Sequence, residues 1–252
     1  MQMKIKTFKD EEICRKIDDS REARERKITY KELLDSSEIF EEDPDSGSDA
    51  WVRTRRFVDW KNLHNLNTEE VKRRIIGFLN KWHCRLPSTD RLAEKIKETY
   101  RLTIPFLNAL EDETLENFQF DKKKVVQGEK YTNEEILLKI FGSFCKIGHN
   151  FRGVAASKLL SLINPSLFVM WDTPICEAYG IRAPSEPYIR DKQYVPEFFP
   201  LMKEKANGVI DSYMKEKKCS RSEATKAINS FRKWRTLAKL LDEYNWVTYS
   251  HE

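Results

Sequence analysis

Within "FRGVAASKLLSLINPSLFVMWDTPICEAYG", residues 151–180, two side chains stand where packing alone does not ask for them: Lys158 and Asp172. A helix beginning at Gly153 places Ala155, Leu159 and Leu162 on its buried stripe, and Lys158 falls three residues after Ala155 and four before Leu162. An amine in that position is partly desolvated, which favours its neutral, nucleophilic form. A lysine at the edge of the stripe would instead bury its stem and keep its head in water. Asp172 precedes "TPICEAY", with Pro174 in the first turn and Gly180 at the far end, the pattern of a capped helix. Capping and catalysis are compatible, because a carboxylate at a helix N-terminus is held in place and kept ionised. Trp171 beside it reads either as a core aromatic or as a wall on which a base could stack.

Three consecutive pieces must position this pair: a helix "ILLKIFGSFCKI", a connection "GHNFRG" and a helix "VAASKLLSLI". Gly148 and Gly153 bracket the connection, which fits both an ordinary helical hairpin and a helix–hairpin–helix element. Glycines let the backbone approach a phosphate, and the second helix then points its first N–H groups at it. Lys146 and Arg152 flank the turn, and His149 and Asn150 lie within it, all suited to phosphate or sugar contacts.

The hairpin, the small-residue helix carrying a lysine, and the apolar segment ending in an aspartate at a helix start together resemble the helix–hairpin–helix DNA glycosylase superfamily. That family pairs a Gly-rich hairpin and a lysine with an aspartate in a "V-D-T-H" context; this chain has "M-W-D-T-P-I". "AASKLL" and "WDTPI" are similar to the archaeal 8-oxoguanine glycosylase branch. The likeness covers roughly residues 133–182. The hairpin "IGHNFRG" departs from the usual "LPGVG", the interval from Lys158 to Asp172 is short, and the four-cysteine iron–sulfur cluster of other branches is missing.

The resemblance implies a DNA glycosylase with abasic lyase activity acting on duplex DNA, with the target nucleotide flipped out because its glycosidic bond is unreachable in the stack. It implies that Asp172 stabilises positive charge on the sugar and orients the nucleophile, and that Lys158 attacks C1′ to give a Schiff base. If Lys158 is structural, water attacks and the enzyme is monofunctional. Phe144, Trp171 and Trp234 are the expected rings around the extruded base, with Trp82 and Phe231 behind them, although each also fits the core. Arg232, Lys233 and Arg235 surround Trp234 in a basic–aromatic cluster that suits DNA or simply faces water. No metal and no cofactor are implied. A damaged base in repair and a hypermodified base of phage-type DNA both fit this chemistry. A non-enzymatic helical DNA-binding module would use the same hairpin, and release of a base distinguishes the two. A nuclease is disfavoured, since no Pro-Asp…Glu-x-Lys run stands in a strand context and few strands are expected to hold one.

The remaining sequence predicts an all-α, two-lobed protein. Residues 1–50 form an acidic N-terminal segment ending at the linker-like "EEDPDSGSD", and 51–128 a helical lobe. Residues 129–214 form the hairpin-bearing catalytic lobe, and 215–252 a C-terminal helix returning to the first lobe. Thr68 is the expected cap of "NTEEVKRRIIGFLNKWH", with Val71, Ile75, Phe78 and Leu79 on its inner face; a kink is expected near Pro105. Capping boxes stand at Thr132/Glu135 and Ser220/Glu223. A Pro-rich loop, "RAPSEPYIRDKQYVPEFFP", precedes two final helices.

Lys and Arg number 45 against 41 Asp and Glu over 252 residues, but the first 50 residues hold 10 against 15, leaving 35 against 26 for the rest. A basic body suits a polyanion, and a solvated helical surface produces the same excess. Five scattered cysteines make neither a disulfide framework nor a Cys-x-x-Cys metal site. With no long apolar run and a charged start, the chain is expected to be a cytoplasmic, nucleoid-associated monomer without membrane contact.

Overall fold

The computed structural model describes residues 19–148, 150–181, 193–231 and 235–250, and these are mostly helical. We label the helices α1 (Tyr30–Glu42), α2 (Ser48–Phe57), α4 (Asp90–Ala109), α5 (Asn133–Cys145), α6 (Gly153–Ile163), α7 (Thr173–Ala178), α8 (Phe199–Lys217), α9 (Arg221–Ser230) and α10 (Leu237–Asn245). Helix α3 is continuous through Thr68–Glu70, a π-helical stretch Val71–Ile76, and Gly77–Lys81. Among the described residues no helix is long and apolar enough to cross a membrane.

Helix ends follow their capping chemistry. Thr132 and Ser220 each accept from the N–H three residues on, while Glu135 and Glu223 accept from the cap N–H in return. At α3 the cap is Asn67, whose side chain accepts from the Glu70 N–H, and Thr68 is the first helical residue instead. The π stretch turns Ile76 inward alongside Val71, Ile75, Phe78 and Leu79, an addition that a regular 3.6 period does not give. Pro105 does not break α4. The carbonyl that loses its donor belongs to Arg101, which is exposed, so water can satisfy it. The stretch expected as one last helix is two, with Thr236 capping the second.

One departure from an all-helical chain is a two-stranded antiparallel hairpin, β1 (Lys123–Val126) with β2 (Glu129–Thr132). Its turn residues Gln127 and Gly128 both have positive φ, 52° and 86°, the requirement of a tight type I′ connection. Strand β2 runs directly into the Thr132 cap and so aims α5. The expected Pro-rich loop is partly outside the described residues; Tyr194–Phe198 is helical and leads into α8, where Pro200 sits in the first turn and its missing N–H costs nothing.

Buried apolar residues from Ala23 to Tyr244 form one continuous cluster. The expected division at 50/51 falls inside α2, the one at 128/129 in the hairpin turn, and the one at 214/215 inside α8. The described part of the acidic segment, residues 19–50, packs into the body. The Lys205 amine on α8 donates to the carbonyls of Ala23, Arg24 and Arg26 at 2.9, 3.4 and 3.0 Å. "EEDPDSGSD" is a tight turn, in which Gly47 (φ 71°) packs so closely on Trp82 that a Cβ would lie 2.2 Å from the indole nitrogen. Only glycine fits there.

Helix α10 packs on α1 and α2 through buried charges. Arg235 donates to Glu243 at 2.8 and 3.1 Å and to the Ser48 hydroxyl at 3.1 Å, the Ser37 hydroxyl donates to Glu243 at 2.6 Å, and Lys239 pairs with Asp242 at 2.6 Å. Arg235 is only 5% exposed, so it holds the core together and does not reach a phosphate. Arg235→Met should cost about 3 kcal/mol by leaving buried Glu243 with only the Ser37 hydroxyl and the Lys239 amine, 3.7 Å away, a fall of roughly 10 °C in Tm at this chain length. A melt unchanged within a couple of degrees would show that the pair contributes nothing net, and Glu243→Gln added to Arg235→Met should recover part of the loss.

Candidate active site

Helix α6 and the turn before α7 are pinned to each other by Ser157. Its hydroxyl donates to the Val154 and Trp171 carbonyls at 2.9 and 3.4 Å and accepts from the Trp171 N–H at 3.2 Å. The neighbours of these two residues, Lys158 and Asp172, therefore reach the same place. Both line a cavity of about 830 Å³, within the range of small-ligand sites.

Lys158 is 6% exposed, and its stem lies in the stripe with Ala155, Leu159 and Leu162 as expected. Its head is in the cavity and not in open solvent. The amine donates to the Trp82 carbonyl at 2.9 Å and lies 5.4 Å from the centre of the Trp82 ring. Asp172 caps α7 by accepting from the Ile175 N–H at 3.2 Å, and the Ser250 hydroxyl donates to its two oxygens at 3.1 and 3.3 Å. The carboxylate is thus held from both sides, one of them supplied by the far end of the chain. Cys84 also lines the cavity, but burial pushes its thiol up, against a smaller opposing effect of Lys158, so it stays protonated.

The turn between α5 and α6 approaches the cavity rim. Gly148 has φ 91° and Asn150 φ 65°, and the Phe151 N–H closes on the Gly148 carbonyl at 2.9 Å. Asn150 and Arg152 are exposed and belong to the cavity lining, whereas Lys146 is exposed at the end of α5. Gly153 is buried as the first residue of α6. His149 lies outside the described residues, as do Arg232 and Trp234. A residue that the sequence did not mark stands here too: a Cβ on Gly148 would be 3.6 Å from the Lys95 amine on α4, which adds a cation to the turn.

Of the expected rings, Phe144 and Trp171 are away from the cavity, whereas Trp82 lines it. Phe144 and Trp171 are fully buried, and Trp171 packs edge-on against Phe141 and Tyr194, at 6.4 and 5.1 Å. An amphipathic helix turns its largest rings inward, and Trp171 follows the apolar run "LFVM" into the core. The ring that does line the cavity is Trp82, accompanied by Trp246. Trp82 ends α3 and is followed by His83 and Arg85, both in the left-handed region (φ 59° and 51°), an unfavourable backbone for side-chain-bearing residues. The acidic turn supplies the remaining wall with Asp43, Asp45 and Ser46.

The lining thus combines a buried amine, a held carboxylate, an aromatic face and a rim of Lys81, His83 and Arg152. Such a set can take an anionic, ring-bearing substrate and attack an electrophilic carbon. Among the described residues no cluster of three His, Cys, Asp or Glu could hold a metal ion. No family model, curated protein or solved structure matches the chain.

Proposed function

We propose that this chain is a helix–hairpin–helix DNA glycosylase of two-lobed type that draws a damaged or modified base into the 830 Å³ cavity and releases it. The observation that carries the reading is the meeting of Lys158 and Asp172 in one cavity whose rim includes Asn150 and Arg152 of the turn. The flipped nucleotide would lie with its base against Trp82 and its phosphates toward Arg152 and Lys81. As the glycosidic bond lengthens, the Asp172 carboxylate offsets the positive charge growing on the sugar. The Lys158 nitrogen gives its lone pair to C1′, losing a proton, while the base leaves with the glycosidic electron pair and takes up a proton. The adduct opens to a Schiff base, and loss of a C2′ proton then breaks the C3′–O bond, which is the lyase step.

The test is a panel of labelled duplexes carrying oxidised, alkylated, deaminated and bulky hypermodified bases, assayed for free base and for strand cleavage. Release from at least one of them is expected. DNA binding without release from any would make the chain a binding module. Binding itself should centre on the turn. Lys146→Ala and Arg152→Ala should each weaken affinity to the same degree for all sequences and lower the salt slope by roughly one, read by fluorescence anisotropy over a salt series. No loss with either would move the DNA surface away from the turn.

A further inference from the structure

A second cavity, of about 670 Å³, lies between α2 and α3. Arg53 and Phe57 of α2 and Arg73, Arg74 and Lys81 of α3 line it, and Gly77 leaves part of its floor without a side chain. The lining has four cationic groups and no carboxylate. Lys81 also lines the first cavity, so the two are neighbours.

The packing of α2 on α3 does not need these cations. Arg73 and Lys81 are exposed, and Arg53 reaches only Asp49, at 3.6 Å, whose side chain is 94% exposed. Such a pair is screened by water and salt. Arg74 is the anchored one, donating to the Phe57 carbonyl and lying 3.5 Å from Glu70. Arg53 and Arg74 each have a carboxylate close by, while Arg73 and Lys81 are exposed, so the groove presents a net positive face that attracts an anion. A small anion would not use the last feature. Phe57 is 58% exposed, an unusual position for a large ring, and the Arg56 guanidinium lies 5.4 Å from its centre. Cations along a groove with an exposed aromatic at its rim are the combination that grips a nucleic-acid strand, with phosphates in the groove and a base on the ring.

We infer that the groove between α2 and α3 binds the sugar–phosphate backbone of the DNA strand as it leaves the catalytic cavity, with Phe57 stacking on one of its bases. The inference rests on the DNA reading above for the identity of the strand, and it extends the contact surface well beyond the α5–α6 turn. Lys81 is the junction.

Fluorescence anisotropy with unmodified DNA tests it, using a blunt duplex and the same duplex with a single-stranded extension. The variant Arg53→Ala/Arg73→Ala should bind both probes roughly tenfold or more weakly at low salt and lower the salt slope by about two. Both arginines are exposed, so its thermal melt should match that of the unaltered protein. Arg53→Lys/Arg73→Lys should keep most of the affinity, because phosphate contacts need charge more than shape. Phe57→Ala should weaken binding several-fold on the extended probe and less on the blunt one. Unchanged affinity and slope in the alanine pair, with the melt intact, would overturn the inference, as would failure of the unaltered protein to bind either probe. Since the assay reads binding to unmodified DNA, absence of base release from every duplex would remove the glycosylase reading and leave the groove standing.

Discussion

Asp172→Asn is expected to slow base release by on the order of 10²- to 10³-fold or more while DNA affinity stays equal or rises. The local structure explains why the effect should be confined to chemistry. Asp172 Oδ1 accepts the Ile175 N–H that starts α7, and an asparagine carbonyl oxygen can accept the same bond. The Ser250 hydroxyl that donates to both oxygens keeps at least one acceptor. Helix α7 and the cavity wall should therefore survive, and the melt should move by a degree or two at most. What disappears is the negative charge opposite the sugar as it becomes positive. Losing that charge also removes a repulsion from phosphate, so binding is expected to hold or tighten. Single-turnover release and anisotropy on the same duplex separate the two effects. Release at the unaltered rate would take Asp172 out of the chemistry, and the glycosylase reading with it.

The parts of this arrangement that the sequence foretells are those written in local chemistry. The boxes at Thr132/Glu135 and Ser220/Glu223, and the cap at Asp172, each need only neighbours three residues apart, and each is found as expected. Lys158 could be placed in the buried stripe because helical spacing alone decides it. The β-hairpin escaped because its strands, "KKVV" and "EKYT", do not alternate apolar with polar, and its turn is Gln-Gly rather than Asn-Gly. The cavity walls escaped for another reason. The 43–46 turn and Ser250 come from distant segments, and their convergence on Trp82, a ring expected only behind the base, depends on tertiary contacts such as Gly47 against the Trp82 indole. Composition misled there: a Pro/Gly/Ser-rich acidic run looks like a linker, yet its glycine is required by packing. Phe144, Trp171 and Arg235 misled in the same manner, since a side chain suited to a base or a phosphate is equally suited to the core or to a buried carboxylate.

Borohydride should trap a covalent enzyme–DNA adduct through Lys158, and Lys158→Gln should abolish it, together with roughly 10²-fold or more of the base release. The environment of the amine supports that role over a packing one. It is 6% exposed, and its hydrogen bond goes to a backbone carbonyl, that of Trp82. A neutral amine keeps two N–H groups and one lone pair. One N–H can stay on the Trp82 carbonyl, and the lone pair is then available to C1′. If the lysine were there for packing, Lys158→Met would fill the same stripe and match or exceed the stability of the unaltered protein, with release unaffected and no adduct in either form. A third result separates the remaining case: no adduct from the unaltered protein, but slower release with Lys158→Gln. Lys158 would then act through its charge, water would be the nucleophile, and strand cleavage after release would be absent. Adduct formation that requires Lys158 is the outcome expected here.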